Sequence, residues 1–204
     1  MSFPTILRDY GLQDYVDSWH RMQRFTTERS AESADEIWIT EHSPVYTLGM
    51  NGKPEHLLGK TSIPVINTDR GGQITYHGPG QLVVYPLLNL NRLNLGPRQI
   101  VGILENSVIA TLRQYGIKAQ SLVHAPGVYV NGKKIASIGL RIKRGFCYHG
   151  LSINNNMDLI PFQNINPCGY TGLEITQLAA YGVNIDNHEL AAAIVHKIIK
   201  AIEK

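Results

Sequence analysis

Three stretches of the chain carry apolar residues at helical spacing. In the first, the spacing predicts an amphipathic helix from about residue 12 to about residue 30, marked by Tyr15, Trp19, Met22 and Phe25. A second helix is expected to begin at Pro97, because the first turn of a helix tolerates the missing proline N–H. Its apolar stripe consists of Ile100, Val101, Leu104, Val108, Ile109 and Leu112. A third amphipathic helix is predicted over residues 190–202.

Strand-like runs lie between these helices. Alternating or continuous apolar residues predict strands at residues 36–40, 45–48, 64–68, 81–85 and 147–153. Two further runs, residues 127–130 and 134–139, flank Asn131-Gly132, the dipeptide that a type I′ hairpin turn prefers. Strands thus dominate the middle of the chain and helices its ends, without alternation of strand and helix. This order favours an α+β fold, a mixed sheet flanked by helices, over a doubly wound one.

Composition narrows the class of protein. The 204 residues, with 43% hydrophobic and 17% charged residues, exclude wholesale disorder and suit a single domain spanning residues 1–204. The first residues resemble no secretory signal, and no apolar run is long enough to span a membrane. Cys147 and Cys168 are therefore expected as reduced thiols in a cytoplasmic protein.

Charge is unevenly distributed along the chain. Residues 70–157 contain ten Lys and Arg but one acid, Glu105, a net charge of +9. Because the whole chain is +3, the flanks together carry −6. A basic middle suggests a positive surface for an anionic partner such as nucleic acid, an acidic carrier protein or a phosphorylated cofactor. The alternative is that folding disperses the ten charges.

A glycine-rich segment is the first candidate for chemistry. It reads Arg70-Gly71-Gly72-Gln73-Ile74-Thr75-Tyr76-His77-Gly78-Pro79-Gly80-Gln81. Paired glycines allow close approach of the backbone to a ligand, while Arg and His add a fixed charge and a titratable group. The segment lacks the Gly-Lys-Ser/Thr ending of a phosphate-binding loop. A tight hairpin decorated with polar residues is the alternative.

Cysteine and histidine supply the second set of candidates. Cys168 lies between Pro167 and Gly169, which indicates an accessible turn, and Lys133 or Lys134 would favour its thiolate if the fold brings either of them close. An inert buried thiol is the alternative. Cys147 lies in a predicted strand and is expected to be structural. His42 is expected in a surface loop, and His188 and His196 are also expected at the surface. No metal site is expected, because Cys-x-x-Cys and His-x-x-x-His spacings are absent.

Several segments together resemble the lipoyl(octanoyl) transferases, the octanoyl-[acyl carrier protein]:protein N-octanoyltransferases. The resemblance runs from Glu41 to Gly172. It is carried by Glu41-His42-Ser43-Pro44-Val45-Tyr46-Thr47-Leu48-Gly49, Asp69-Arg70-Gly71-Gly72-Gln73, His77-Gly78-Pro79-Gly80-Gln81, Lys134-Ile135-Ala136-Ser137-Ile138-Gly139-Leu140-Arg141, His149-Gly150-Leu151-Ser152-Ile153-Asn154 and Asn166-Pro167-Cys168-Gly169. The family fold is that of the lipoate and biotin protein ligase catalytic domain, an α+β sheet.

The resemblance implies roles for individual residues. Cys168 matches the cysteine that takes the octanoyl group as a thioester, and Lys134 matches the lysine that lowers the thiol pKa and moves protons. The substrate-binding positions implied are Arg70, Gly71, Gly72, Gln73, Ile74, Thr75, Tyr76, His77, Ser137, Ile138, Gly139, Gly150, Leu151 and Ser152.

The implied partners are proteins. Octanoyl-acyl carrier protein is the donor, and the acceptors are lipoyl domains of 2-oxoacid dehydrogenase complexes and the glycine cleavage H protein. The family suggests a monomer with no cofactor, no nucleic acid and no membrane partner. Arg141, Lys143 and Arg144 are predicted to dock these acidic partners.

Other functions stay open on the sequence alone. An ATP-dependent lipoate or biotin ligase shares the fold, but its glycine loop typically carries a further Gly and an Asp after the His, where this chain has Gly78-Pro79. A non-catalytic module that binds a carrier protein or nucleic acid would tolerate loss of Cys168. A thioesterase would result if water intercepted the acyl-enzyme.

Overall fold

The computed structural model describes residues 4–203, and it describes the backbone but not the side chain of Cys168. A seven-stranded sheet in the order β1-β2-β6-β10-β9-β8-β7 forms its centre. These strands are β1 Ile6–Gln13, β2 Glu36–His42, β6 Gln81–Leu87, β7 Gln120–Leu122, β8 Ala125–Val130, β9 Lys133–Lys143 and β10 Phe146–Asn154. A smaller sheet contains β3 Val45–Leu48, β4 Val65–Asn67 and β5 Ile74–His77, in the order β4-β3-β5.

Three helices accompany the sheets: α1 Tyr15–Glu28, α2 Pro97–Gln114 and α3 Asn187–Ile202. Both sheets are mixed, since β1 runs parallel to β2 and β4 runs parallel to β3 while the other pairs are antiparallel. The expected α+β fold is confirmed. Among residues 4–203, no helix has the length and apolar character needed to cross a bilayer.

Alternation along the central strands divides the core into two layers. On β6, Leu82 and Val84 pack in the larger core with α2 and α3. Val83 and Tyr85 point to the opposite face, where they pack with Met22 of α1. The sheet is therefore covered by α2 and α3 on one face and by α1 on the other. Val83 and Tyr85 also line a cavity between the two sheets.

The predicted first helix is confirmed, but it is shorter at both ends than expected, Tyr15–Glu28. It begins at Tyr15 because the Asp14 side chain accepts hydrogen bonds from the Val16 and Asp17 amides and so caps the helix. Residues before the cap are extended, in the edge strand β1, whose side chains are mostly exposed. Because β1 is an edge strand with few buried side chains, its sequence shows little alternation of apolar and polar residues, and the pattern did not predict it.

The hairpin prediction is confirmed. Asn131 and Gly132 connect β8 to β9, and both have positive φ, 50° and 80°, as a type I′ turn requires. The predicted strand at residues 64–68 is shorter in the structure, Val65–Asn67. The glycine-rich segment contains a strand that was not predicted, β5, whose four residues are all buried. Its antiparallel pairing with β3 carries His77 into the interior.

Candidate functional site

A cavity of about 480 Å³ opens between the two sheets. That volume is in the range of small-molecule sites. The sequence-predicted residues that line it are Arg70, Gly71, Gly72, Gln73, Ile74, Thr75, His77, Lys134, Ser137, Ile138, Gly139, Gly150, Leu151 and Ser152. The exception is Tyr76, whose ring packs against Tyr46 and Phe162 in a separate apolar cluster. Alternation along β5 turns Tyr76 away from its neighbours Thr75 and His77.

Arg70 organises the glycine-rich turn. Its buried guanidinium donates to the Thr47 carbonyl at 2.6 Å and to the Gln73 carbonyl at 2.7 Å. The Gly71 amide in turn donates to the Leu140 carbonyl of β9 at 2.9 Å. Arg70 thereby fixes the turn against β3, and Gly71 fixes it against β9. The charge of Arg70 faces carbonyl oxygens of the protein.

The small residues on the cavity floor lie opposite one another in the sheet. Ser137 of β9 pairs with Ser152 of β10, and Gly139 pairs with Gly150. A Cβ on Gly139 would lie 3.0 Å from the Gly71 carbonyl oxygen, so the turn approaches the sheet here as closely as glycine allows. A Cβ on Gly150 would clash with the Val84 carbonyl of β6, so both glycines allow close backbone packing beside the small side chains of Ser137 and Ser152.

Lys134 is buried at one end of the cavity. Its side chain is nearly inaccessible, and Nζ donates to the Pro126 carbonyl at 2.9 Å. Nζ also lies 5.3 Å from the centroid of the Tyr129 ring. A Cβ on Gly127 would lie 2.5 Å from Lys134 Cε, so the glycine makes room for the lysine. Burying an ammonium is costly unless hydrogen bonds offset its lost hydration, and the Pro126 carbonyl supplies one of them.

The turn that carries Cys168 adjoins the same cavity. Residues Pro167–Gly169 form a single 3₁₀ turn, closed by the Gly169 amide donating to Asn166. The Cys168 side chain lies outside the described part of the structure. A Cβ on Gly169 would lie 3.2 Å from Gln73 Cδ, and Tyr170 lines the same cavity as Lys134. The backbone on the C-terminal side of Cys168 therefore contacts the cavity wall.

Chain connections also tie this segment to Lys134. The Lys134 amide donates to the Glu174 carbonyl at 2.8 Å, and the Thr176 amide donates back to the Lys134 carbonyl at 2.9 Å. Lys133, by contrast, is partly exposed and pairs with the Glu174 carboxylate. Alternation along β9 thus separates the two adjacent lysines, one inward and one outward.

Sequence reasoning missed a buried network of histidine and tyrosine side chains next to the cavity. His42 was expected at the surface, but it is fully buried at the end of β2. Its Nδ1 donates to the Gln13 carbonyl, and its Nε2 accepts from the Tyr85 hydroxyl at 2.6 Å. His77 Nδ1 donates to Gln81 at 2.6 Å. The sequence held no signal for His42, because its partners are distant in the chain. His188 and His196 are exposed, as expected.

A second polar cluster centres on Asp69. Its carboxylate accepts hydrogen bonds from the Trp19 indole at 2.7 Å, from His149 Nε2 at 2.9 Å and from the Tyr148 hydroxyl. Burial alone would raise the pKa of Asp69, but the hydrogen bonds from His149 and Tyr148 hold it well below its usual range. His149 lines the cavity, has φ 58°, and has a pKa lowered by burial. The cluster fixes the cavity wall against α1.

Burial of two neutral histidines predicts a pH-dependent stability. Burial lowers the pKa of His42 from 6.5 to about 4 and that of His77 to about 3. Below pH 6.5 the unfolded chain binds protons that the folded chain excludes, so stability present above that pH is lost as pH falls. We expect the free energy of unfolding to fall by about 2–4 kcal/mol between about pH 7.5 and pH 5.

Urea unfolding at the two pH values measures this loss. The His42→Phe variant should show a smaller loss than the unmodified chain. His196→Gln, an exposed control on α3, should lose as much as the unmodified chain. Equal stability at both pH values would contradict the account of the buried histidines.

Cys147 is structural, as expected. It is fully buried, its Sγ donates to the Pro86 carbonyl at 3.1 Å, and burial raises the pKa of its thiol to about 12. A thiol with so high a pKa does not form a thiolate near neutral pH. Among the described side chains, no group of three or more His, Cys, Asp or Glu is placed to hold a metal ion.

Residues 14–199 match the family model described as the lipoyl protein ligase A/B catalytic domain. The chain is 57% identical over 189 residues to the octanoyltransferase of Laribacter hongkongensis, covering 93% of this chain and 91% of that protein. It is 53% identical over 196 residues to the octanoyltransferase of Pseudomonas syringae pv. syringae, covering 96% and 90%.

Solved structures share the fold at much lower identity. A lipoate-protein ligase A bound with ATP has a TM-score of 0.78 at 14% identity, covering 100% of this chain and 86% of that one. The biotin protein ligase of Aquifex aeolicus has a TM-score of 0.60 at 16% identity, covering 100% and 70%. At such identities the likeness extends to the fold alone.

Proposed function

Because the chain belongs to the lipoyl protein ligase A/B catalytic-domain family, and over half of its aligned residues match octanoyltransferases, we propose that it transfers octanoyl through a thioester on Cys168. Octanoyl transfer in protein lipoylation is the activity its relatives support. The donor is octanoyl-acyl carrier protein. The acceptor is a lysine of a lipoyl domain, in 2-oxoacid dehydrogenase complexes or the glycine cleavage H protein. The enzyme acts as a monomer with no cofactor.

The observation that carries the proposal is the position of Lys134. Its ammonium is buried on the cavity wall, and the turn holding Cys168 adjoins that cavity through Gly169 and Tyr170. A cation favours the thiolate over the thiol, and the thiolate is the nucleophilic form. The resting pair is therefore the Cys168 thiolate with the Lys134 ammonium.

The first half-reaction moves the acyl group onto the enzyme. The Cys168 thiolate attacks the thioester carbonyl of the donor, a new carbon–sulfur bond forms, and the bond to the carrier's sulfur breaks. The departing carrier thiolate takes a proton from Lys134, which becomes neutral. Exchange of one thioester for another is nearly isoenergetic, so no ATP enters.

The second half-reaction forms the amide. The neutral amine of the acceptor lysine attacks the acyl-enzyme carbonyl, Lys134 takes the amine proton, and the Cys168 thiolate leaves. The thiolate–ammonium pair is restored. Because an amide is more stable than a thioester, this half-reaction drives the sequence forward.

Small residues on the cavity floor support the choice of an acyl substrate. The small side chains of Ser137 and Ser152 leave room for an acyl chain, while Ile138 and Leu151 add apolar surface. Each methylene removed from water there contributes about 0.8 kcal/mol to binding.

Transfer without ATP tests the function against the ligase alternative, which the shared fold does not separate. The purified enzyme is mixed with octanoyl-acyl carrier protein and an apo-lipoyl domain, and the domain is followed by mass spectrometry. We expect octanoylation of the domain with no nucleotide present. Modification that appears with free octanoate and ATP, and fails with the acylated carrier, would identify a ligase.

The basic segment supports docking of acidic partners. Arg141 lines the cavity, and Lys143 is exposed nearby on β9. Arg144 has an additional structural role, because it donates to the Thr26 and Thr27 carbonyls at the end of α1. Arg70 and Lys134 are buried, so folding removes part of the positive surface that the sequence suggested.

This docking predicts a salt dependence. Raising the salt from about 0.05 to 0.5 M is expected to lower kcat/KM for octanoyl-acyl carrier protein by about tenfold, because screening weakens attraction between exposed charges. The double variant Arg141→Gln/Lys143→Gln should start lower and depend less on salt. Lys118→Gln, exposed beyond the end of α2, is the matched control. A kcat/KM that stays flat across this range would rule out electrostatic docking.

A further inference from the structure

One peptide group beside the cavity is held from both sides by ionisable side chains. The amide of Gly127 donates to Oε1 of Glu105 at 2.9 Å. The carbonyl of Pro126 accepts from Nζ of Lys134, also at 2.9 Å. This N–H and this C=O belong to the same peptide unit, so a carboxylate and an ammonium are connected through one planar group.

The local conformation fixes the orientation of that peptide unit. Gly127 has φ +133°, in the range that favours glycine. A Cβ there would lie 2.5 Å from the Ala136 carbonyl oxygen and 2.5 Å from Lys134 Cε. Only glycine fits at this position of the backbone. The N–H of Gly127 points to α2, where Glu105 lies half-buried one turn after Val101, a residue that lines the cavity.

We propose that Glu105 is a positioning residue for Lys134, acting through the Pro126–Gly127 peptide. A carboxylate accepting from the N–H makes the carbonyl of the same peptide a stronger acceptor, because hydrogen bonds in a chain polarise one another. The strengthened carbonyl holds the Lys134 ammonium on the cavity wall and stabilises its charge. Glu105 is also the single acid among residues 70–157, where ten Lys and Arg occur.

Other titratable groups face the same lysine. Tyr129 of β8 lies beside the ammonium, and His124 and Tyr170 line the same cavity. Cys168 is the proposed nucleophile, and Glu174 is engaged by Lys133. Glu105 thus adds a negative charge on the α2 side of the lysine. This inference rests on the proposed function of Lys134 as the group that gives and takes protons.

The pH profile of acyl-enzyme formation tests the inference. Rates are measured by rapid quench and mass spectrometry for the unmodified enzyme and for Glu105→Gln, which keeps a neutral acceptor of the same length. We expect the alkaline limb of the profile to move down by roughly 0.5–1 pH unit, because the ammonium loses a stabilising charge. Glu105→Ala, which removes the acceptor too, should also lower the plateau by about tenfold.

Controls separate this inference from the proposed function. Glu28→Gln makes the same change in charge at the last residue of α1, whereas the cavity-lining residue of that helix is its first, Tyr15. Its profile should superimpose on that of the unmodified enzyme. If the alkaline limb does not move in the Glu105 variants, even when their plateau is lower, Glu105 has only a structural role and the inference is overturned. The proposed function would still stand in that case, provided that Lys134→Met loses its rate. A Lys134→Met enzyme with the original profile would overturn both.

Discussion

Replacing Cys168 by alanine is expected to abolish octanoyl transfer, lowering the rate by roughly 10⁴-fold or more. The loss is this large because no acyl-enzyme forms without the sulfur, and any remaining transfer would require direct attack of the acceptor lysine on the donor thioester. The measurement is octanoylation of an apo-lipoyl domain at saturating octanoyl-acyl carrier protein.

Cys147 provides the matched control for that variant. It is the same residue type, but it is fully buried in the core and its thiol has a pKa of about 12. Cys147→Ala is expected to cost about 1 kcal/mol of stability and to retain nearly full transfer at a temperature where the protein is folded. Loss of activity in Cys147→Ala with activity preserved in Cys168→Ala would reverse the assignment of the nucleophile.

Replacing Lys134 by methionine is expected to lower the rate of transfer by about 10²–10⁴-fold. Methionine keeps the apolar stem but removes the ammonium. The Cys168 thiolate therefore loses its stabilising cation, and the amine of the acceptor lysine loses the group that takes its proton. The folded state should lose no more than about 1–3 kcal/mol, because the Pro126 carbonyl loses its donor while the cost of burying a charge is removed. The measurements are the transfer rate and the midpoint of urea unfolding.

Lys133 is the control for this variant, because it is adjacent in the chain yet exposed and paired with Glu174. Lys133→Met should keep its rate within about twofold, as surface ion pairs contribute little. A Lys134→Met protein that is folded and fully active would show that proton transfer in this site does not depend on the lysine.

The sequence predicted the parts of the fold that have local causes. The helix at Pro97, the strand before Asn154 and the type I′ turn at Asn131-Gly132 all depend on the spacing of apolar residues or on backbone conformations available to few residue types. The edge strand β1 and the short strand β5 were missed, because their pairing is set by partners distant in the chain.

The candidate site, too, was predicted from the sequence only in part. The glycine-rich segment and Lys134 were found from motifs, and the structure places them around one cavity. The environment of His42 and the hydrogen bonds of Asp69 were not predicted, because the partners of His42 lie on β1 and β6 and those of Asp69 on α1 and β10. Tyr76 was grouped with its neighbours by motif, but alternation along β5 turns it into a separate apolar cluster.

Intact-protein mass spectrometry is the most direct test of the central claim, an octanoyl thioester on Cys168. The enzyme is mixed with octanoyl-acyl carrier protein and then with an excess of apo-lipoyl domain, beside Cys168→Ser. We predict a hydroxylamine-labile octanoyl adduct that maps to Cys168, disappears as the domain gains its octanoyl group, and becomes at most a stable ester in the serine variant. Transfer that proceeds without an adduct, or an adduct that the acceptor never removes, would contradict the claim.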